Sequence, residues 1–224
     1  MHFIQPNWPA PAHIKAYTTL RDGWMGRTFG PPIASIIPLP EDPIWLTQTH
    51  SKIVLEATPL NREQIGDASF TTIPHRVCVA LTADCLPVLM TDKQGSIVAA
   101  IHAGWRGLAA GIIEETIKAM NVEVNHLLVW LGPAIGPTKF EVGKDVYDAF
   151  VDRHTESEAA FTPHAEGKWL ADLYALARIR LTLSGVTDVY GGDFCTYTRE
   201  DLFFSFRRDK GKKGNMANLI WIDR

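Results

Sequence analysis

The sequence predicts a mixed α+β fold in a single domain of 224 residues. Short, almost entirely apolar runs at 77–81, 97–101 and 127–131 are typical of buried strands. Two longer segments, 108–120 and 170–184, carry apolar residues at helical spacing. The strand and helix patterns do not alternate regularly along the chain, which favours an α+β arrangement with mixed sheets over a repeated βα unit.

The N-terminal segment ends in a proline-rich loop. Five prolines lie between residues 31 and 43, and their density excludes a helix interior and predicts an extended surface segment. Residues 44–55 follow with rough alternation and β-branched side chains, so we expect strands on both sides of His50.

The middle of the chain predicts strands that end in polar segments. Strand patterns at 77–81 and 86–90 are separated by the polar segment TADC (82–85). The run at 97–101 is apolar throughout, as expected for a strand covered on both faces. The glycine-containing turn HAGWRG (102–107) follows it directly and leads into the first helical pattern.

The last third of the chain predicts two helices and several strands. The second helical pattern, at 170–184, is closed by Gly185 as a C-cap, and 142–150 is a shorter helical pattern. Late strands are expected at 186–190, 202–206 and 218–222, with a turn at 211–214 before the last of them.

Composition and charge exclude several classes of protein. A net charge of -3 gives no electrostatic basis for non-specific binding to nucleic acid or to anionic membrane. No window approaches the roughly 20 apolar residues of a membrane span, and the N-terminus lacks a signal-peptide pattern. The three cysteines, Cys78, Cys85 and Cys195, are too few for a disulfide framework. These observations predict a cytoplasmic protein with free thiols.

Three residues form a candidate metal site. His50, Cys85 and His102 each lie where an apolar run gives way to a polar segment or turn, and two imidazoles with one thiolate suit zinc with a fourth position left for water or substrate. The separations of 35 and 17 positions match no compact zinc motif, and each residue alone could be a buried cysteine or a hydrogen-bonded histidine. The residue types, rather than the spacing, therefore indicate the site.

Further candidates surround these ligands. Asp84 could orient a ligand, act as a catalytic proton acceptor or cap its turn. Arg106, with the backbone N–H groups at a helix start, is a candidate catalytic and anion-binding residue, and Arg207 is a second candidate for an oxyanion. Tyr197 and Phe206 could offer a stacking face to a flat base, although aromatic residues in strands more often pack in the core, and an arginine beside an aspartate, such as Arg207, is more often part of a solvated cluster.

Five motifs in register resemble the YfiH-type, laccase-domain family. They run from about residue 44 to the C-terminus and are listed here in chain order: WLTQTH (45–50), LTADCLPV (81–88), AIHAGWRG (100–107), GPAIGP (132–137) with FEVG (140–143), and CTYT (195–198) with FFSFRRD (203–209).

The resemblance implies a layered α/β/β/α sandwich formed by residues 1–224 as one domain, and a zinc or copper ion held by His50, Cys85 and His102. It further implies phosphorolysis of adenosine, inosine and methylthioadenosine together with hydrolytic deamination of adenosine. The partners would then be a nucleoside and phosphate, and we expect a monomer or a small homo-oligomer.

The chain departs from the family pattern mainly at its start. Residues 1–43 form an atypical N-terminal segment, because the glycine-rich loop, the Ser-Leu-Asn motif and the Asn-Arg pair of the family are missing. Arg21 is the candidate for a displaced anion-binding counterpart of a family arginine. The sequence KGN (213–215) replaces the family's Thr-Gly-Arg and removes a cation.

Three other functions remain open from the sequence. The older family name suggests a copper polyphenol oxidase, although the eight histidines include no His-x-His pair of the kind that groups copper ligands. Some relatives are linked to peptidoglycan-precursor editing as amidases, and a metal that activates water suits that hydrolysis as well. A non-enzymatic metal module would need a fourth protein ligand, for which Asp84 and His75 are the candidates.

Overall fold

The computed structural model describes residues 2–27, 32–211 and 214–224. The predicted loop residue Pro31 lies outside the described residues, as do Lys212 and Lys213 of the predicted turn. In chain order the strands are β1 (Phe3–Ile4), β2 (Ile14–Thr19), β3 (Val54–Glu56), β4 (Ala68–Thr71), β5 (Cys78–Thr82), β6 (Leu86–Asp92), β7 (Val98–Ala103), β8 (Leu127–Leu131), β9 (Glu141–Gly143), β10 (Phe161–Ala165), β11 (Lys168–Ala171), β12 (Val189–Gly191) and β13 (Met216–Ile222). The α-helices are α1 (Trp105–Ala110), α2 (Ile112–Met120), α3 (Lys144–Val151), α4 (Leu173–Leu183) and α5 (Phe206–Asp209).

A six-stranded mixed sheet forms the centre of the fold. Its strand order is β12-β8-β6-β7-β4-β3, and the two outermost pairs are parallel whereas the inner pairs are antiparallel. Along β7, Ala99 and Ile101 pack in the same cluster as residues of α2 and α4. Val98 and Ala100 point to the opposite face and pack against residues of β2, β5 and β13, which belong to a second sheet. Both faces are thus buried, which explains why the sequence of this strand is apolar throughout.

A four-stranded antiparallel sheet, in the order β1-β2-β13-β5, forms the next layer. Successive residues of β13 alternate between the two faces: Ile220 and Ile222 contact the central sheet, and Leu219 and Trp221 point the other way. That outer face is covered by the N-terminal segment, which contributes a short 3-10 helix at Ile33–Ser35. The predicted α+β fold with layered, mixed sheets is confirmed.

The two longer helical patterns are both helical in the structure, but the first is divided into two helices and the second begins later than predicted. The pattern at 108–120 forms two helices, because Gly111 has φ 103° and ends α1 before α2 begins. The pattern at 170–184 forms α4, which Gly185 ends in the left-handed conformation (φ 85°), with Val186 donating its N–H to the Leu181 carbonyl.

Several predicted boundaries are wrong. Residues 202–206 form no strand, because the Ser205 hydroxyl accepts from the Arg208 N–H and caps α5, so Phe206 is the first helical residue. The start of the predicted helix at 142–150 is strand β9, which pairs with β11. Around His50, only Val54–Glu56 forms a strand, and Ile44 and Thr47 make isolated bridges.

In the described part of the chain, no helix combines the length and the apolar character that crossing a membrane requires.

Candidate metal centre

The candidate site lies where the chain passes from the four-stranded sheet to the six-stranded sheet. β5 belongs to the four-stranded sheet and β6 to the six-stranded sheet, and the three residues from Ala83 to Cys85 connect them. Leu86 pairs with Ala103 across β6 and β7, so Cys85 is brought beside the segment that follows His102. The strand register therefore places the thiol and one imidazole together.

The His50 loop is fixed against β5 and against the start of α1. The Gln48 amide both donates to the Leu81 carbonyl and accepts from the Leu81 N–H, at 2.8 and 2.7 Å. A Cβ added to Gly104 would lie 2.5 Å from His50 Cδ2, so the loop approaches α1 as closely as it does because residue 104 has no side chain.

The three predicted ligands converge. The candidate ligand atoms of His50, Cys85 and His102 all lie within 4.8 Å of one another, and His50 Nε2 is 3.7 Å from Cys85 Sγ. In a tetrahedral zinc site, bond lengths of about 2.1 Å to nitrogen and 2.3 Å to sulfur give a nitrogen–sulfur separation of about 3.6 Å. The side chains thus fit one ion with little movement.

A buried carboxylate that the sequence reasoning missed supports two of these ligands. Asp67 is 1% exposed and precedes β4. Its Oδ1 lies 2.7 Å from His102 Nδ1 and accepts from the His50 N–H at 2.9 Å. A hydrogen bond at Nδ1 leaves Nε2 of His102 for the metal. An acid ahead of a strand carries no metal-binding signature, so only the register of β4 and β7 shows its role.

The same contacts shift three pKa values. Burial opposes ionisation of Cys85, but hydrogen bonds with His102 and His50 lower the thiol pKa to about 7. Burial would lower the pKa of His102, but hydrogen bonds with Asp67 and Cys85 raise it to about 9. Burial also opposes ionisation of Asp67, yet hydrogen bonds from His102 and Ser51 hold its pKa well below the usual range. Near neutral pH a substantial fraction of Cys85 is therefore in the thiolate form that binds a metal, whereas His102 must lose a proton before it can act as a ligand.

A cavity of about 600 Å³ opens beside the three ligands. The two anion-binding candidates Arg106 and Arg207 both line it, and Phe206 lies at its wall with 67% of its surface exposed. The Arg106 guanidinium lies over the Trp105 ring at 4.2 Å, and Arg207 donates to the Glu141 carbonyl at 3.1 Å. Because a guanidinium has five N–H donors, both arginines can also bind an anion in the cavity.

Asp84 lines the cavity but is occupied as a structural acceptor. Its carboxylate accepts from the hydroxyls of Thr196 (2.6 Å) and Ser205 (3.0 Å) and from the Arg207 N–H (2.7 Å). These contacts connect the turn that carries Cys85 to the start of α5. They agree better with a role of Asp84 as a cap of its turn than with a role in proton transfer. The residue itself adopts φ 86°.

Two other candidates lie elsewhere. Arg21 pairs with Glu200 at 3.2 Å and is not among the residues described as lining the cavity, so the structure does not bring it to the site. His75 Nδ1 lies 3.7 Å from the Asp223 carboxylate, and the metal-ligating group found in the described residues contains neither His75 nor Asp84.

Comparison with known proteins identifies the family. The sequence model described as multi-copper polyphenol oxidoreductase laccase matches residues 33–223. The purine nucleoside phosphorylase YfiH of Escherichia coli is 43% identical over 244 aligned residues, which cover 98% of each chain. The chain belongs to the YfiH-type laccase-domain family. A purine nucleoside phosphorylase of Pseudomonas aeruginosa is 44% identical to this laccase-domain chain over 239 aligned residues, again covering 98% of each.

Solved structures of similar proteins agree with the fold. A Neisseria meningitidis protein superposes with a TM-score of 0.92 at 41% identity, covering 100% of both chains. YlmD of Geobacillus stearothermophilus gives a TM-score of 0.88 at 23% identity, which supports the fold alone. The alignment of 239 positions with the Pseudomonas relative is longer than the 224 residues of this chain, so that relative carries residues with no counterpart here.

Proposed function

We propose that this laccase-domain chain is a zinc-dependent purine nucleoside phosphorylase that acts on adenosine, inosine and methylthioadenosine, and that it also deaminates adenosine. The observation that carries the proposal is one cavity lined by two imidazoles, the thiol of Cys85, two guanidinium groups and an exposed aromatic ring. The relatives named purine nucleoside phosphorylase, at 43% and 44% identity over 98% of this chain, support the same reaction.

Phosphorolysis breaks the bond between the anomeric carbon and the base nitrogen and forms a bond from that carbon to a phosphate oxygen. In our proposal, Arg106 and Arg207 hold the phosphate, because bidentate guanidinium contacts match its oxygens. Phe206 offers its ring face to the purine. The volume of about 600 Å³ is within the usual range for small-molecule pockets.

We assign zinc rather than copper because the three ligands leave a fourth position open, and because no methionine of the kind that completes a blue-copper site is among the residues described as lining the cavity. Two histidines and one cysteine with an open position match catalytic zinc sites. When bound, zinc supplies a Lewis acid that polarises an oxygen and activates water, which is the chemistry that hydrolytic deamination requires. A closed structural site would need a fourth protein ligand, and the carboxylate of Asp84 is already engaged by three other donors.

The test measures phosphate-dependent release of hypoxanthine from inosine by the zinc-loaded protein. We expect product with the wild type, loss of zinc and product in Cys85→Ala, and retention of both in Cys195→Ala, a matched removal of a second partly buried cysteine. Adenosine in the absence of phosphate should give inosine. A folded, zinc-loaded wild type without phosphorolysis would refute the proposal.

The two alternative activities are tested by separate assays on the same protein. Oxygen uptake with a phenol in proportion to bound copper would indicate a polyphenol oxidase, and cleavage of a muramyl amino acid conjugate would indicate the editing amidase. The cytoplasmic location and the monomeric or small homo-oligomeric state stay predictions.

A further inference from the structure

The carboxylate of Asp67 is the meeting point of the two histidine ligands. Its side chain has no exposed surface, and no sequence motif singles it out. Oδ1 contacts His102 Nδ1 at 2.7 Å and the His50 N–H at 2.9 Å. Oδ2 accepts from the Ser51 N–H and hydroxyl at 2.7 and 2.6 Å, and from the Thr49 N–H at 3.2 Å. Five donors therefore converge on one side chain.

These contacts determine the shape of the His50 loop. Three consecutive backbone N–H groups, from Thr49 to Ser51, point at the same carboxylate, which is the concave arrangement that binds anions. His50 has φ 62°, a left-handed conformation that a non-glycine residue adopts only when its surroundings favour it. The carboxylate supplies the hydrogen-bond acceptors that favour this conformation.

We propose that Asp67 is a positioning residue for the metal site, an inference that rests on the proposed metal-dependent function. It holds the proton of His102 on Nδ1, so that Nε2 is the ligand, and it fixes His50 through the loop backbone. One carboxylate thereby sets the orientation of both imidazoles, while the strand that follows it, β4, pairs directly with the strand of His102.

The substitution Asp67→Asn tests this role because an amide cannot replace the carboxylate on both sides. Asparagine has one acceptor oxygen and one donor group. If the oxygen faces the Ser51 side, where three donors lie, the amide group donates to His102 Nδ1 and forces the proton onto Nε2. That tautomer cannot bind a metal through Nε2.

The chain provides a matched control. Asp92, at the end of β6, is 5% exposed and accepts from the Ser96 N–H and hydroxyl, both at 2.6 Å, as Asp67 does from Ser51. No contact connects Asp92 to the three metal ligands in the described residues. Ser51→Ala is a second control, since it removes the two hydrogen bonds of the Ser51 hydroxyl, to Asp67 and from the Ile53 N–H, and leaves the contact between Asp67 and His102 in place.

The experiment measures zinc affinity by competition with a chromogenic chelator. We expect Asp67→Asn to weaken zinc binding roughly 10- to 100-fold, Asp92→Asn to leave it unchanged, and Ser51→Ala to weaken it less than Asp67→Asn does. Equal affinities for Asp67→Asn and the wild type would overturn the inference, and so would equal losses for Asp67→Asn and Ser51→Ala, because the loop alone would then explain the effect.

A measurement on the wild type keeps the inference testable if the variant does not fold. In the zinc-loaded protein, nitrogen NMR of His102 should show a protonated Nδ1 and a metal-bound Nε2, and the reverse assignment would overturn the role of Asp67. Neither readout uses a nucleoside. An inactive protein whose zinc affinity depends on Asp67 would therefore refute only the proposed function, whereas an active protein without that dependence would refute only this inference.

Discussion

The substitution Gly104→Ala should damage the metal site without damaging the fold. Gly104 precedes α1 with φ −61° and ψ 153°, a conformation that alanine adopts without strain. The glycine is required for space, because a Cβ here would lie 2.5 Å from His50 Cδ2 and 3.1 Å from Cys85 Sγ. The substitution therefore tests the steric effect of an added Cβ on His50 and Cys85 without straining the backbone at residue 104.

The size of the effect follows from these distances. Two carbon atoms prefer a separation of about 3.5–4.0 Å, so the His50 ring must retreat by about 1 Å. Metal–ligand distances in a working site tolerate about 0.2 Å. His50 is exposed and can swing outward, so the cost in free energy of unfolding should be at the low end of the range for overpacking, about 1 kcal/mol. Loss of one well-placed ligand should weaken zinc binding at least about tenfold, or about 1.4 kcal/mol.

The assay combines chelator competition for zinc affinity with thermal unfolding of the metal-free protein. Gly143→Ala is the control, since Gly143 also precedes a helix in an extended conformation, and its added Cβ would meet the side chains of Asp145 (2.8 Å) and Lys168 (3.8 Å) but no metal ligand. We expect Gly104→Ala to lower the melting temperature by only about 2–4 °C and to lose zinc affinity, while Gly143→Ala keeps it. Wild-type zinc affinity in a folded Gly104→Ala protein would show that the close approach of Gly104 to His50 is not needed for metal binding.

Two further predictions concern the thiols and the cavity wall. In the metal-free protein the alkylation rate of Cys85 should rise as the pH passes about 7, because the pKa of its thiol is lowered to about 7 and the thiolate is the reactive form. Burial raises the pKa of Cys78 to about 12, so we expect Cys78 to remain unmodified. Zinc should protect Cys85, and peptide mass mapping that shows equal modification with and without zinc would contradict the site. Phe206→Ala should raise KM for inosine with little change in kcat, since stacking on a base contributes roughly 1–3 kcal/mol, and an unchanged KM would exclude that ring as the platform. Leu183→Ala is the control, because Leu183 is also a large apolar residue with much of its surface exposed (50%, against 67% for Phe206) but is not among the residues described as lining the cavity.

The strands that the sequence predicts well are those buried on both faces. The run at 127–131 is apolar because β8 packs between two strands of the central sheet and is covered above and below, and the observed strand has the predicted bounds. Strand β10 (Phe161–Ala165) has only its first residue buried, so its sequence has no hydrophobic pattern from which a strand could be predicted. The sequence therefore predicts the centre of the fold better than its edges.

The helix at 108–120 shows a second limit. Its apolar spacing continues through Gly111, so the pattern predicts one helix, although the glycine turns the chain with φ 103°. Periodicity reports which side of a segment is buried, and two successive helices that pack on the same sheet can share that side.

The residues of the candidate site are of two kinds: some could be predicted from their side-chain chemistry, and others are recognised only by their contacts in the folded chain. His50, Cys85 and His102 were predicted because their residue types bind metal, and that information is local to each segment. Asp67 acts by accepting N–H groups of a loop 16 to 18 positions earlier and an imidazole 35 positions later, and Asp84 by accepting donors 112 to 123 positions later. An aspartate of this kind resembles any turn residue in sequence, because its partners are chosen by strand pairing rather than by spacing. Residues that position a site are thus encoded in the fold, and a prediction of them requires the register of the strands first.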